Sequence, residues 1–323
     1  MATTYLEAIR SGIWEEMERD PTVFCIGEDI GIYGGAFKVT EGFIDRFGPE
    51  RIIDTPIAES AIVGAAFGAA LTGLRPVAEF QFMDFLPCAF NQITNMVAKS
   101  HFRWEAPAPL VIRGPSGGGV HGGPFHSQNP EAYFTHTPGL KVVCPATAYD
   151  AKGLIKSAIR DNSPVIFFEH KFLYRRIKEE LPADDYTVPI GKARVARKGR
   201  DISVITYASM VYVALEAAEM LAKEGIELEV LDLRTLAPLD CQAIAETVRS
   251  TNRVIILHED VKTGGIAGEI AAIINEEAFD ELDAPIVRIT SRDTPVPFSP
   301  PLEEVFMPNV RDLVQKAREL KAW

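Results

Sequence analysis

One acid and three histidines are the side chains in this sequence best suited to chemistry. Glu59 follows a short apolar segment, Arg51 to Asp54, and precedes an alanine- and glycine-rich stretch that begins at Ala61, with Ser60 placed to cap it. If these segments form a strand and a helix, Glu59 lies at the carboxyl end of a strand, the edge where open α/β sheets bind ligands. The alternative is an acid that only stabilises the helix N-terminus through the macrodipole.

The histidines lie in and after a glycine-rich segment that begins at Gly114. His121 and His126 belong to this loop, and His136 follows ten residues after His126. Histidine exchanges protons readily near neutral pH, whereas spacings of five and ten match neither a helical nor a finger-type zinc site. We therefore expect proton transfer, or hydrogen bonding to an oxyanion, from one of the three and structural roles in turns for the other two.

Neither glycine-rich loop carries a nucleotide signature. The loop from Gly114 lacks the Gly-Lys-Ser/Thr ending of a P-loop, and the loop Thr263-Gly-Gly-Ile-Ala-Gly has the wrong glycine spacing for a dinucleotide fingerprint. Glycines in the first loop would let its backbone approach a ligand closely. The alternative for the loop from Gly114 is a mobile surface loop. For the loop from Thr263, a mobile surface loop is the preferred interpretation.

Composition excludes several classes of partner. The 323 residues include 33 basic and 45 acidic side chains, a net charge of −12, so neither nucleic acid nor an anionic membrane is an expected partner. The 47% apolar and 24% charged fractions are typical of a globular protein with about two domains. No secretory signal precedes the first helix, which predicts a cytoplasmic location. Four scattered cysteines are expected to be reduced and buried: Cys25, Cys88, Cys144 and Cys241.

Apolar strand-like runs alternate with helix-like segments, which predicts an α/β protein with parallel sheets. The first helix has an apolar face and a capping box formed by Thr4 and Glu7. A helix is also predicted from Phe85 to Lys99. The charged segment from Tyr174 to Ile190 is interpreted as a connector, which gives a first domain at residues 1–185 and a second at 186–323.

The helix after Glu59 has a face almost without side chains. Gly64, Gly68 and Thr72 recur every four residues. Because a glycine in a helix interior costs about 1 kcal/mol relative to alanine, this face is expected to pack closely against another backbone, at a subunit contact. The apolar run is too short to span a bilayer.

Several long motifs resemble one known family, the beta subunits of the decarboxylating component of 2-oxo acid dehydrogenase complexes. They are Asp54-Thr-Pro-Ile-Ala-Glu, Gly73-Leu-Arg-Pro-Val-Ala-Glu-Phe, Arg113-Gly-Pro-Ser-Gly-Gly, His126-Ser-Gln, Pro138-Gly-Leu-Lys-Val-Val and Asp150-Ala-Lys-Gly-Leu-Ile-Lys-Ser-Ala-Ile-Arg-Asp. The resemblance covers essentially the whole chain. It implies a transketolase-like pyrimidine-binding domain with a parallel sheet, followed by a C-terminal transketolase-type α/β domain.

The resemblance also implies thiamine diphosphate as the cofactor. By it, Glu59 hydrogen-bonds the ring nitrogen of the aminopyrimidine and favours its imino tautomer. Phe82 and Phe85 match the aromatic residues against the pyrimidine, although core packing is the commoner role of such rings. Ile57 would line the same pocket. His126 matches the histidine that assists reductive acylation of the lipoyl group.

Metals and partners follow from the same resemblance. A structural potassium ion would be held mainly by backbone carbonyls at Leu110, Ala158, Ile159, Asp161 and Ser163. The chain contains no Gly-Asp-Gly motif, so magnesium and the diphosphate would be held by an alpha subunit in a two-alpha, two-beta assembly. The lipoyl acyltransferase core of the complex would be a further partner.

Two other classes of function would require different sequence features. An NAD-dependent oxidoreductase would need a dinucleotide fingerprint after a strand, which neither loop supplies. A scaffold without catalysis would not need Glu59 and His126, and both are present. Pyruvate is the preferred substrate, with branched-chain 2-oxo acids and acetoin as alternatives.

Overall fold

The computed structural model describes residues 2–323, which form two compact units. Unit 1 contains the chain up to Ser116 together with Tyr133–Ile190, and unit 2 contains Gly117–Ala132 together with Gly191–Trp323. Both units are α/β, as the alternation of segments predicted. None of the helices among the described residues is long and apolar enough to cross a membrane.

Unit 1 is built on a parallel sheet whose central strands are buried. The strands lie in the order β6, β7, β5, β4, β2, β3, and each pairing between these neighbours is parallel. A separate antiparallel pair joins β1 to β8. Continuous apolar runs form these strands because both faces of the sheet are covered. The strands of unit 1 are β1 (Thr3–Thr4), β2 (Val23–Gly27), β3 (Ile52–Asp54), β4 (Arg75–Glu79), β5 (Val111–Ser116), β6 (Lys141–Val143), β7 (Val165–His170) and β8 (Lys178–Glu179).

The helices of unit 1 begin with the predicted capped helix. Thr4 Oγ1 accepts a hydrogen bond from the Glu7 N–H, and the Glu7 carboxylate accepts one from the Thr4 N–H, which confirms the capping box. Leu6, Ile9 and Ile13 are buried on the expected face. The α-helices are α1 (Tyr5–Arg19), α2 (Phe43–Phe47), α3 (Glu59–Leu71), α4 (Ser100–Trp104), α5 (Ala132–Thr135) and α6 (Ala148–Arg160).

The helix predicted from Phe85 to Lys99 is wrong in detail. A 3₁₀-helix occupies Met83–Ala89 and a π-helix occupies Gln92–Val97. Pro87 lies inside the first of these, and because proline lacks an N–H and collides with the preceding turn, a regular α-helix cannot run through it.

The small-residue face of α3 is open within this chain. Gly64 and Gly68 are exposed, and a Cβ added at either would meet no atom within 4 Å. No backbone of this chain packs against that face. A contact with another subunit stays a prediction.

Unit 2 is a second α/β unit with its own core. Five of its strands form one sheet in the order β14, β13, β10, β11, β9, and only β9 runs antiparallel to its neighbour. The strands are β9 (Arg194–Arg197), β10 (Ile202–Thr206), β11 (Leu228–Asp232), β12 (Thr235–Ala237), β13 (Val254–Val261) and β14 (Val287–Ser291). The helices are α7 (Met210–Ala222), α8 (Cys241–Thr251), α9 (Ala267–Glu277), α10 (Pro300–Phe306) and α11 (Val310–Lys321), with 3₁₀ turns at Gly123–Phe125 and Phe279–Glu281.

None of the four cysteines forms a disulfide bond, and only two of them are buried. Cys25 and Cys144 lie in the core, whereas Cys88 and Cys241 are exposed. The prediction of burial is wrong for the last two, whose side chains lie on the solvent-facing sides of the 3₁₀-helix Met83–Ala89 and of α8.

Candidate active site

Glu59 is the first residue of α3, and Ala58 is the N-cap. Ser60 does not cap the helix as predicted, because its hydroxyl donates a hydrogen bond to the Cys88 carbonyl at 2.5 Å. This bond ties the start of α3 to the 3₁₀-helix Met83–Ala89. The Glu59 carboxylate is half-buried and has no hydrogen bond or ion pair within residues 2–323. It is therefore available to accept a hydrogen bond from a ligand.

A second acid, Glu28, lies next to Glu59 and was missed from the sequence. Glu28 follows the buried strand β2 and is 7% exposed. Burial is the main cause that raises the pKa of Glu28, and the negative charge of Glu59 raises it further. A hydrogen bond from the Ala58 backbone acts in the opposite direction. The Ala58 contact links Glu28 to the residue that caps α3. The available signal was its position at the carboxyl end of a fully apolar strand.

Aromatic rings adjoin this edge of unit 1. Phe82 and Phe85 are half-buried and meet edge to face, with ring centroids 6.0 Å apart and an interplanar angle of 81°. Phe37 packs on Phe82 at 5.6 Å in the same manner. Ile57 is 80% exposed. Because Phe85 belongs to the 3₁₀-helix that Ser60 contacts, the structure brings the elements of Glu59 and of the two predicted aromatic residues together.

A buried ionic cluster connects the neighbouring strands β4, β5 and β7 of unit 1. The Arg113 guanidinium on β5 bonds both Glu79 on β4 and Glu169 on β7, and its Nη2 lies 2.6 Å from Glu169 Oε2. The Tyr174 hydroxyl also donates to Glu169 at 2.6 Å. One cation thus faces two buried carboxylates, which holds three neighbouring strands in register near their carboxyl ends.

The histidine loop belongs to unit 2. Residues Gly117–Ala132 include His121, which is about half exposed at its side chain, and His126, which is half-buried. His136 is exposed and lies in unit 1. Of the three histidines singled out by type, only His121 and His126 therefore share one loop.

The backbone segments predicted to hold potassium already receive donors from the chain. Arg75 Nη1 donates to the carbonyls of Ile159 and Asp161, each at 2.9 Å. The Asp161 carboxylate accepts from Lys141 Nζ at 2.5 Å and from the Ser163 N–H at 2.8 Å. Two further carbonyls of the set, those of Ala158 and Leu110, accept backbone hydrogen bonds. A potassium ion would have to share two of these carbonyl oxygens with a guanidinium, so the fit is partial.

Metal ligands for a diphosphate do not occur as a group in the part of the chain described here. No cluster of three or more histidine, cysteine or acidic side chains suited to a metal occurs in residues 2–323.

Comparison with known families identifies both units. Residues 1–176 match the transketolase pyrimidine-binding domain, and residues 191–313 match the transketolase C-terminal domain. A solved structure described as a split-gene transketolase, an inactive beta4 tetramer, superposes with a TM-score of 0.82 at 25% identity, covering 100% of this chain and 99% of that one. These matches confirm the predicted transketolase-like fold.

Relatives of known name align over nearly the full length. The 2-oxoisovalerate dehydrogenase subunit beta of Bacillus subtilis (strain 168) is 52% identical over 98% of both chains. The pyruvate dehydrogenase E1 component subunit beta is 48% identical in Porphyra purpurea, over 97% of this chain and 95% of that one. In Bacillus subtilis (strain 168) the subunit of that name is 44% identical over 98% of both. The chain therefore belongs to the family of beta subunits of 2-oxo acid dehydrogenase E1 components.

Proposed function

We propose that this chain, together with an alpha subunit, catalyses the thiamine-diphosphate-dependent oxidative decarboxylation of a 2-oxo acid and the reductive acylation of a lipoyl group. The observation that carries this proposal is the Glu59 carboxylate. It is half-buried at the N-terminus of α3, has no partner in the described chain, and lies on an element joined to that of Phe85. A carboxylate that only stabilised the helix would not need the adjoining aromatic rings.

The side chains of unit 1 would bind the pyrimidine half of the cofactor. Glu59 would accept a hydrogen bond from its protonated ring nitrogen, and negative charge there stabilises that proton. Phe82 and Phe85 would pack on the ring, and the exposed Ile57 would cover it when a partner is bound. When bound, thiamine diphosphate would supply a nucleophilic thiazolium carbon that adds to the 2-oxo group and a cationic ring that takes up the electron pair left by decarboxylation.

The other half of the site is assigned to the partner. This chain lacks a magnesium-binding motif, so the alpha subunit would hold magnesium and the diphosphate in a two-alpha, two-beta assembly. The open glycine face of α3 is a candidate contact in that assembly. The lipoyl acyltransferase core would receive the acyl group. Potassium binding near Asp161 and a cytoplasmic location stay predictions.

His126 is assigned to acyl transfer to the lipoyl group. A histidine can donate a proton to a sulfur that leaves a disulfide bond as a thiolate. The half-buried position of His126 in a loop fixed to unit 2 suits such a role, because the ring is both held and accessible.

Pyruvate is proposed as the substrate, as named for the relatives from Porphyra purpurea and Bacillus subtilis. A branched-chain 2-oxo acid is the second candidate, because the relative at 52% identity is named for 2-oxoisovalerate. Acetoin is a third alternative.

Co-expression with a cognate alpha subunit tests the proposal. The assembled protein should bind thiamine diphosphate with magnesium and turn over one member of a panel of pyruvate, 2-oxoisovalerate and acetoin with the highest kcat/KM. The isolated chain should neither bind the cofactor tightly nor decarboxylate any of them. Full activity of the isolated chain would contradict the assignment of half of the site to a partner.

A further inference from the structure

Glu303 is a buried acid of α10 that accepts two backbone hydrogen bonds from the histidine loop and lies against the His121 ring. It is 2% exposed. Its Oε1 accepts from the Gly119 N–H at 3.0 Å, and its Oε2 accepts from the His121 N–H at 3.2 Å. His121 Nδ1 lies 2.5 Å from the same Oε2. Two backbone N–H groups and one imidazole nitrogen of the loop thus converge on one carboxyl group.

A second buried acid, Glu259, accepts hydrogen bonds from residues near both ends of the loop. Glu259 is 5% exposed. Its Oε1 accepts from the Gly118 N–H at 2.5 Å and from Asn129 Nδ2 at 2.9 Å. The Ser209 hydroxyl donates to Oε2 at 2.8 Å. Together, Glu259 and Glu303 bind the residues on either side of His126, which lies between Gly118 and Asn129.

The glycines of the loop permit this close approach. A Cβ at Gly118 would lie 3.0 Å from Met307 Sδ and 3.2 Å from Glu303 Oε1. Gly123 has a φ of +68°, and a Cβ there would lie 2.4 Å from the Phe298 ring. His121 has a φ of +60° although it is not glycine, a conformation that persists only where contacts impose it. The glycine-rich backbone therefore lies against carboxylates of its own unit, and the interpretation as a mobile surface loop does not hold.

We propose that Glu303 is a positioning residue for acyl transfer, which fixes the loop Gly117–Ala132 and thereby the place of His126. The proposal rests on the proposed function of His126. The same carboxylate faces Nδ1 of His121, which lies 2.5 Å from its Oε2. Burying an acid is unfavourable unless donors compensate for lost water, and here most of the donors come from the loop.

Hydrogen exchange of the assembled alpha–beta protein gives a readout that needs no activity. In the wild type, a peptide covering residues 117–132 should be protected at the amides of Gly119 and His121. Glu303→Gln should raise exchange in this peptide at least about tenfold, because a hydrogen bond to a charged group is lost. Glu304→Gln is the matched control, since Glu304 is the exposed neighbour in α10, and it should exchange like the wild type.

Two activity assays on the same proteins complete the test. For Glu303→Gln we expect kcat for acylation of a lipoyl domain to fall about tenfold or more. Decarboxylation measured with an artificial electron acceptor should fall much less. Glu259→Gln should act in the same direction, because it releases the other anchor. Glu304→Gln should match the wild type in both assays.

The outcomes separate this proposal from the one on which it rests. An unprotected loop in the wild type, or wild-type exchange and acylation in Glu303→Gln, would overturn the positioning role. The wild-type measurement decides this even if the variant does not fold. If His126→Ala lowers both activities equally while Glu303→Gln still frees the loop, the role of His126 in acyl transfer is wrong and the anchoring by Glu303 is supported.

Discussion

The Tyr207 hydroxyl donates a hydrogen bond of 2.5 Å to Glu131, a carboxyl group at the end of the histidine loop that is 2% exposed. Burial is the main cause that raises the pKa of Glu131 to about 8, and the negative charge of Asp260 is the second cause. A raised pKa means that the folded state binds the proton more tightly than the unfolded state does. The contribution of Glu131 to stability is therefore complete below its ordinary pKa and is lost as the pH rises toward 8.

The first prediction follows from the raised pKa of Glu131. Glu131→Gln should make the stability of the protein less dependent on pH between about 4.5 and 8, by up to about 1.4 kcal/mol per pH unit. Urea unfolding followed at pH 5, 6, 7 and 8 measures the difference. Glu276→Gln removes an exposed acid of unit 2 and is the control. Parallel curves for wild type and Glu131→Gln would show that Glu131 is not protonated in the folded protein.

The second prediction concerns Glu59. Glu59→Gln keeps the shape of the side chain but removes the charge that stabilises a protonated pyrimidine nitrogen. Turnover of the assembled protein, and exchange of the thiazolium C2 proton of bound cofactor, should slow about a hundred- to a thousandfold, or about 2.7 to 4 kcal/mol. Melting should stay close to wild type, since a helix-dipole contact contributes only about 0.3 to 1 kcal/mol. Unchanged exchange with a slightly lower Tm would make Glu59 a helix-stabilising acid, and Glu50→Gln is the exposed control.

The third prediction concerns His126. His126→Ala should strongly impair acylation of the lipoyl group, while decarboxylation with an artificial acceptor remains substantial. The reason is that the imidazole is assigned to proton donation in the transfer step and not to the cofactor. Steady-state rates in the two assays measure the split. Equal losses would place His126 in the cofactor step or in loop folding.

The fourth prediction uses Arg75 to test the potassium site. Arg75→Ala removes the donors to the carbonyls of Ile159 and Asp161, so unit 1 should lose stability. If these carbonyls can hold a potassium ion, potassium should restore Tm in this variant more than sodium or choline does, because the competing guanidinium is gone. Arg46→Ala, which breaks an exposed ion pair with Glu18, should show no cation preference. Equal effects of all three cations on Arg75→Ala would remove the potassium assignment.

The fifth prediction concerns the domain boundary near residue 185. Arg175 and Lys178 are exposed, whereas Asp185 is paired with Arg160 at 3.0 Å and Tyr186 stacks on Tyr149 at 4.5 Å. Trypsin should therefore cut the isolated chain first at the start of the segment from Tyr174 to Ile190. Mass spectrometry of the fragments locates the cut. Stable fragments that end near Gly117 or Thr263 would place the boundary elsewhere.

Local features of the fold could be predicted from the sequence, and long-range ones could not. The Thr4–Glu7 capping box was predictable because both partners lie within one turn. The helix from Phe85 to Lys99 was predicted wrongly because apolar spacing does not separate α-, 3₁₀- and π-helices over short runs. Ser60 was misassigned because its partner, the Cys88 carbonyl, comes from another element.

The residues of the candidate site show the same contrast between local patterns and long-range contacts. Glu59 and His126 were found by residue type, by position after a strand or in a glycine-rich loop, and by motif. Glu303 was not, because it contacts Gly119 across 184 residues of sequence and no local pattern reports such a contact. The glycines of the loop indicated a close approach, but the group approached could be identified only once the fold was known.

The membership of residues 117–132 in unit 2 has a consequence for biosynthesis. A ribosome releases the histidine loop well before it releases the two acids that bind the loop, Glu259 and Glu303. The chain around the loop can fold as unit 1 while the loop itself still lacks its anchors, because domains fold largely in order of synthesis. A nascent or prematurely terminated chain thus carries Glu59 and His126 without a fixed loop. Loop anchoring is completed only near the end of translation.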